Sequence, residues 1–155
     1  MINRNRFKAL VKIVFILYVV LVLYFVIFKL GEPAGMIRSR VSSLKDNLSW
    51  GGRNYNLVPL RNIKNFIFGT SRDFMLVNLF ANTVVFMPIG YLLPLAFDKM
   101  RKAWKTLLIC FAGIVVCELL QYITFLGVAD IDDIILNFAG CAFGYLVFFI
   151  SSKAY

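Results

Sequence analysis

The sequence predicts an all-α, polytopic transmembrane helix bundle of about four spanning helices, with amphipathic interfacial helices between the first and the second. Two observations carry this. Of 155 residues, 61% are apolar and only 16% are charged, against roughly 45–50% apolar in an average soluble protein, so the charges have to gather where water is. Four apolar runs also approach the roughly 20 residues that a helix needs to cross a hydrocarbon core. These runs are apolar on nearly every side rather than alternating, which argues against a barrel.

The first run, residues 13–28, is flanked by Lys8, Lys12 and Lys29, whose aliphatic stems reach toward the interface. Lys29-Leu30-Gly31-Glu32-Pro33 after it lacks the small-residue exit of a cleaved signal peptide, so residues 1–30 read as a retained anchor. Residues 31–73 form a basic outer segment. There Ile37, Val41, Leu44 and Leu48 recur at helical spacing opposite Arg38, Arg40, Lys45 and Asp46. Leu57, Leu60, Ile63 and Ile67 repeat the pattern opposite Arg61, Lys64 and Asn65. Both stretches are too short to span and suit a lipid interface, with Trp50-Gly51-Gly52 as the turn between them. The runs at 74–97, 106–128 and 134–150 make residues 74–150 a core of three helices, antiparallel along the chain, and 151–155 a short tail.

The formal charge is +9. Its density sets the orientation. Arg4, Arg6, Lys8 and Lys12 crowd the start, and Lys99, Arg101, Lys102 and Lys105 crowd one turn, whereas Asp130, Asp132 and Asp133 precede the last helix. Both termini are therefore expected to be cytoplasmic. Basic punctuation between apolar runs is not a phosphate-binding face, so nucleic acid is not an expected partner. There is no histidine, and Cys110, Cys117 and Cys141 all lie in apolar runs. Ser–His and Cys–His catalytic pairs and the common His-containing zinc sites are thereby excluded within this chain, and the cysteines read as packing residues. No cofactor is expected.

Polar residues inside spanning helices are costly and need partners or a wet cavity. Asn78 and Asn82 lie four apart on one helix, Glu118 and Gln121 three apart on the next. Asp133, Asn137, Gly140 and Gly144 form a polar-then-small stripe on the last. Asn82 and Glu118 each fall about 12 Å below the outer ends of their helices, and Asn137 about 6 Å below Asp133. Such convergence in the outer half of the membrane predicts a polar pocket walled by the last three helices and roofed by the basic segment. Arg53 and Arg61, which bracket Asn56 and Pro59, are candidates to grip a carboxylate or phosphate there. Glu118 has three open roles: proton carrier, ligand contact, or structural hydrogen-bond partner of Asn82 or Asn137. The Asp130/Asp132/Asp133 cluster has two, Mg²⁺-phosphate binding or capping of the last helix, with capping the safer assignment. Below the pocket, Cys110, Gly113 and Cys117 face Gly140-x-x-x-Gly144 in a close seam. Pro88, with Gly90 and Pro94, is expected to kink or break its helix.

These residues fall in an order that resembles the VanZ-like family of small bacterial membrane proteins. The resemblance runs through Arg53-x-x-Asn56-Leu57-x-Pro59-Leu60 and Asn78-x-x-x-Asn82-x-x-x-Phe86-x-Pro88-x-Gly90-x-Leu92-Leu93-Pro94. It continues in Glu118-x-x-Gln121 and in Asp130-Ile131-Asp132-Asp133-x-x-x-Asn137-x-x-Gly140-x-x-x-Gly144-Tyr145. Each motif is loose; their order and spacing together are specific. One departure is Ala129, where many relatives carry an aromatic residue or an arginine, which puts a contact there in doubt. The resemblance implies a multi-pass protein of the bacterial cell membrane associated with reduced susceptibility to glycopeptide antibiotics, particularly teicoplanin, with no agreed mechanism.

Three functions compete. The first is a binding or shielding module whose outer pocket engages an anionic or amphiphilic envelope molecule: a lipid-linked cell-wall precursor, an anionic lipid or a lipoglycopeptide. The second is an intramembrane enzyme on lipid-linked phosphates, with Asp130, Asp132 or Glu118 as metal ligand or base and Arg53 or Arg61 on phosphate. The third is a structural or transport-related role in which the polar groups fasten the helices, with a homo-oligomer left open.

Overall fold

In the computed structural model the described residues are 3–28, 34–61, 64, 68 and 72–153; for 27, 28, 34 and 72–79 only the backbone is described. Helix α1 spans Arg4–Phe28 and α2 spans Ala34–Ser49. Helix α3 spans Arg72–Ala96, α4 spans Ala103–Thr124 and α5 spans Ile131–Lys153. A 3₁₀ turn at Asp98–Met100 links α3 to α4, and two short strands, β1 (Tyr55–Asn56) and β2 (Ala129–Asp130), pair in parallel.

Helices α1, α4 and α5 are each long and apolar enough to cross a membrane, and α3 contributes a shorter apolar stretch, Phe80–Ala96. The chain is an all-α membrane bundle. Its ends are fixed by local chemistry. Thr106 Oγ1 donates to the Met100 carbonyl at the start of α4. At the far end of α4 Phe125 takes φ 58, which stops the helix four residues short of the predicted run. Helix α5 begins earlier than predicted because the Asp130 carboxylate accepts from the Asp132 N–H at 2.9 Å, as an N-cap does.

Trp50-Gly51-Gly52 does turn the chain: the Gly51 and Gly52 N–H groups close back onto Leu48 and Asn47 at 3.0 and 2.8 Å, and Gly51 adopts φ +80, which its missing Cβ permits. The second interfacial helix does not begin at Leu57. Residues 57–60 are not helical, Leu60 is left-handed at φ 62, and helical conformation starts with Arg61 and includes Lys64 and Phe68. Pro59 explains this, since its ring disfavours the helical conformation at Val58. The rest of that prediction, at Ile63, Asn65 and Ile67, lies outside the described residues.

Helix α3 is unbroken through Pro88 and Pro94. The expected break at Pro88 is absent, and Pro94 is instead among the fully buried side chains. A second correction concerns the seam. Gly140 and Gly144 do mark a close approach, but to α3: a Cβ on Gly140 would sit 2.1 Å from the Thr83 carbonyl oxygen, and one on Gly144 1.9 Å from that of Met87. Gly90 reciprocates, 2.0 Å from the Cys141 carbonyl oxygen. Helices α3 and α5 therefore touch backbone to backbone, and they run parallel, since positions advance together along both. Gly113, by contrast, would meet nothing within 4 Å.

Helix α1 packs more loosely. It is held by Tyr18 OH donating to the Val85 carbonyl at 2.9 Å, by Phe15 edge-on to Phe97, and by an ion pair between Lys8 and Asp98. Val22, Phe86, Leu93, Cys110, Ile114 and Cys141 form a buried core cluster. All three cysteines are buried and free.

Candidate functional site

The bundle has two unlike ends. At one lie the start of α1, the α3–α4 turn and the end of α5, joined by the Lys8–Asp98 pair and by Tyr145 OH on the Arg101 carbonyl at 2.8 Å. At the other, the β1–β2 bridge sits over the last turns of α4 and the first turns of α5. This second end gathers most of the sequence-predicted polar residues.

The bridge forms because both strands are short and anchored from beneath. Asn54, only 3% exposed, donates through Nδ2 to the Tyr122 carbonyl at 3.0 Å, and its own carbonyl takes the Ala129 N–H at 3.0 Å. Glu118 then receives the Asp130 N–H on Oε2 at 3.0 Å. Asn56 donates to both carboxylate oxygens of Asp130 at 3.1 Å, while its own Oδ1 accepts from the Val58 N–H at 3.3 Å. Asp132, fully buried, accepts the N–H of left-handed Leu60. Asp133 accepts from Asn82 Nδ2 at 2.6 Å, tying α5 to α3. Burying carboxyls demands such donors, and here backbone N–H groups and asparagine amides supply them. Loop, α3, α4 and α5 are thereby fastened at one level.

Asn137 is the exception. It lies one turn below Asp133, is 3% exposed, and its Oδ1 has no hydrogen-bond partner among the described residues. An unsatisfied buried acceptor costs about 1–3 kcal/mol.

Other candidates lie elsewhere. Gln121 is buried but donates to the Val26 carbonyl at 3.0 Å, so it secures α1 rather than joining the cluster. Arg53 is exposed, its guanidinium 5.6 Å from the Tyr55 ring centre, and Arg61 is exposed after Leu60; neither reaches Glu118 by a described contact. The side chain of Asn78 lies outside the described residues. Among the described residues, no three acidic or thiol side chains assemble as a metal-binding group. The capping assignment thus describes Asp130, whereas Asp132 and Asp133 hold the loop and α3. The polar groups meet in a hydrogen-bonded crown where a wet pocket was expected, and an apolar cavity lies deeper, among α1, α3 and α4.

Sequence reading missed Asn54, Tyr18 and Arg40, whose Nη1 donates to the Leu126 carbonyl at 2.9 Å and docks α2 onto the loop after α4. Tyr18 had a signal, one of two hydroxyls, with Tyr24, inside an apolar run. Asn54 had a weaker one, its place beside the Gly51-Gly52 turn.

The family model described as VanZ/LLP1 matches residues 15–152. No curated protein and no solved structure matches the chain significantly.

Proposed function

The chain belongs to the VanZ/LLP1 family, and from that premise we propose that it lowers susceptibility to glycopeptide antibiotics by engaging an amphiphilic envelope molecule at the polar crown. The observation that carries this reading is Asn137. A buried carbonyl oxygen without a donor among the described residues, beside a cluster whose other described members are satisfied, suits a ligand that brings its own hydroxyl, amide or ammonium hydrogen. Exposed Arg53 and Arg61 at the rim suit an anionic group on the same molecule. A lipid-linked cell-wall precursor, an anionic lipid or a lipoglycopeptide meets both conditions.

Orientation follows the charge. The end bearing Arg4, Arg6, Lys8, Lys99, Arg101 and Lys102 is taken as cytoplasmic, in a bacterial cell membrane, and the crown as outward. Reporter fusions at Arg101 and Gly127 test this; a cytoplasmic signal at Gly127 reverses it.

Susceptibility of a host with and without the chain, measured with glycopeptides that carry or lack a lipid tail, tests the function. Protection confined to the lipid-bearing drugs, and lost in Asn137→Leu while the folded protein persists, is the expected result. Equal protection against both classes overturns it. A second reading has support of its own. Glu118, Asp130, Asp132 and Asp133 each accept a hydrogen bond within the chain, as expected of groups that fasten helices together. On that reading Asn137→Leu protects as well as the parent.

A further inference from the structure

A cavity of about 160 Å³ lies between α1, α3 and α4, with Cys141 of α5 at its floor. Every residue around it is aliphatic, aromatic, glycine or cysteine, so a water molecule there would lack the two to four polar partners it needs. Apolar voids of this order stay dry and accept hydrocarbon guests.

Its position narrows the guest further. Gly113 lines the void at the middle of α4, about 15 Å from either helix end at the α-helical rise, which is the depth of the bilayer midplane. Headgroups do not reach that depth; only hydrocarbon tails do. The cavity is also open on the correct side. Ile109 lines it and is 45% exposed, and a Cβ on the likewise exposed Gly113 would meet nothing within 4 Å. This places a gap on the surface that faces lipid, between α1 and α4. Val19 and Leu23 form the α1 wall of the gap, and Ile89 reaches in from α3.

Among the described residues, hydrogen bonds that secure α1 lie to either side of this level, from Tyr18 to the α3 backbone and from Gln121 of α4.

We propose that this cavity seats a segment of one acyl chain of a bilayer lipid, entering sideways between α1 and α4. The seat is distinct from the crown and does not depend on it. Glycine at position 113 is then the residue that admits the chain, since any larger side chain there occupies the same volume.

The full-length protein, purified from membranes in a steroid-based detergent that carries no alkyl tail, provides the test. Native mass spectrometry counts retained lipid, and thermal unfolding is followed while 1-palmitoyl-2-oleoyl-phosphatidylglycerol is added. The parent is expected to keep one lipid per chain and to gain in midpoint as lipid is added. Gly113→Leu is expected to lose the retained lipid, to unfold no lower than the lipid-free parent, and to ignore added lipid. Val116→Leu, on the exposed face of α4 outside the cavity, behaves as the parent. Should Gly113→Leu fail to fold, Val19→Phe fills the void from the opposite wall and carries the same comparison. Equal retention in parent and filled variant overturns the proposal, as does a parent midpoint that added lipid does not move. Asn137→Leu keeps its lipid if only the crown reading is wrong, so the two failures are separable.

Discussion

The α3–α5 seam and the α1–α4 seam solve one problem in opposite ways. Between α3 and α5, three glycines bring backbone onto backbone, with 1.9 to 2.1 Å separating each imagined Cβ from a facing carbonyl oxygen. Between α1 and α4, a glycine of the same kind opens onto a cavity. In lipid, where helix association gains little from the hydrophobic effect, close van der Waals contact and interhelical hydrogen bonds do the fastening. The first seam relies on contact. The second leaves a gap, with the Gln121 hydrogen bond joining α4 to α1 on one side of it and Tyr18 tying α1 to α3 on the other. A small residue therefore has no fixed meaning in a spanning helix: what faces it decides whether it closes a seam or opens one.

The largest expected effect comes from breaking the tight seam. Gly144→Ala places its methyl against the Met87 backbone, which cannot swing aside as a side chain would, and should cost at least about 1–3 kcal/mol in a denaturant titration. Next is the crown that caps this seam. Asp132→Ala leaves the Leu60 N–H unpaired, at a cost of about 1–3 kcal/mol, and should speed tryptic cleavage after Arg61 or Lys64.

The loose seam should respond less. Gln121→Ala removes its bond to the Val26 carbonyl and is expected to cost about 0.6–2 kcal/mol, seen as faster hydrogen exchange at the end of α1 with the crown unchanged. Gly113→Ala should be neutral or stabilising, by up to about 1 kcal/mol, because helix propensity improves and nothing obstructs the methyl. If Gly113→Ala proves as harmful as Gly144→Ala, the two seams are not different in kind.

The smallest effect is at the basic end, where α1 meets the α3–α4 turn. The hydrogen bond from Lys8 holds the exposed Asp98 carboxyl below its ordinary value. A carboxylate lowered on folding adds stability that is fully present above its unfolded value, near 4, and is lost as pH falls through the folded one. The difference in unfolding midpoint between the parent and Asp98→Asn should therefore be constant above about pH 5, shrink below pH 4, and fade with added salt.

Much of the crown was legible because the cost of polar groups in hydrocarbon is written residue by residue. Asn82, Glu118, Asp130, Asp132 and Asp133 were marked by chemistry that forbids them to stand alone, and helical rise placed Asn82, Glu118 and Asn137 in the outer half of the membrane. Their partners were not legible. Of the roles left open for Glu118, the structural one paired it with Asn82 or Asn137, whereas it holds a backbone N–H of β2. The strand pairing that presents this N–H joins residues 74 positions apart, and no local pattern announces a two-residue strand. Gln121 shares a helix with Glu118 at i+3, yet serves α1.

By itself the sequence determined that this chain is a bundle of membrane helices, where those helices lie, which end is basic, and that the opposite end collects carboxyls and amides. Composition and periodicity suffice for that, because transfer into lipid is charged to each side chain separately. Only the tertiary structure decided that α3 and α5 are the tightly packed pair, that Pro88 leaves its helix whole, and that Gly113 faces a void. Those outcomes depend on which backbone arrives opposite which glycine, a relation between distant segments that no single stretch of chain contains.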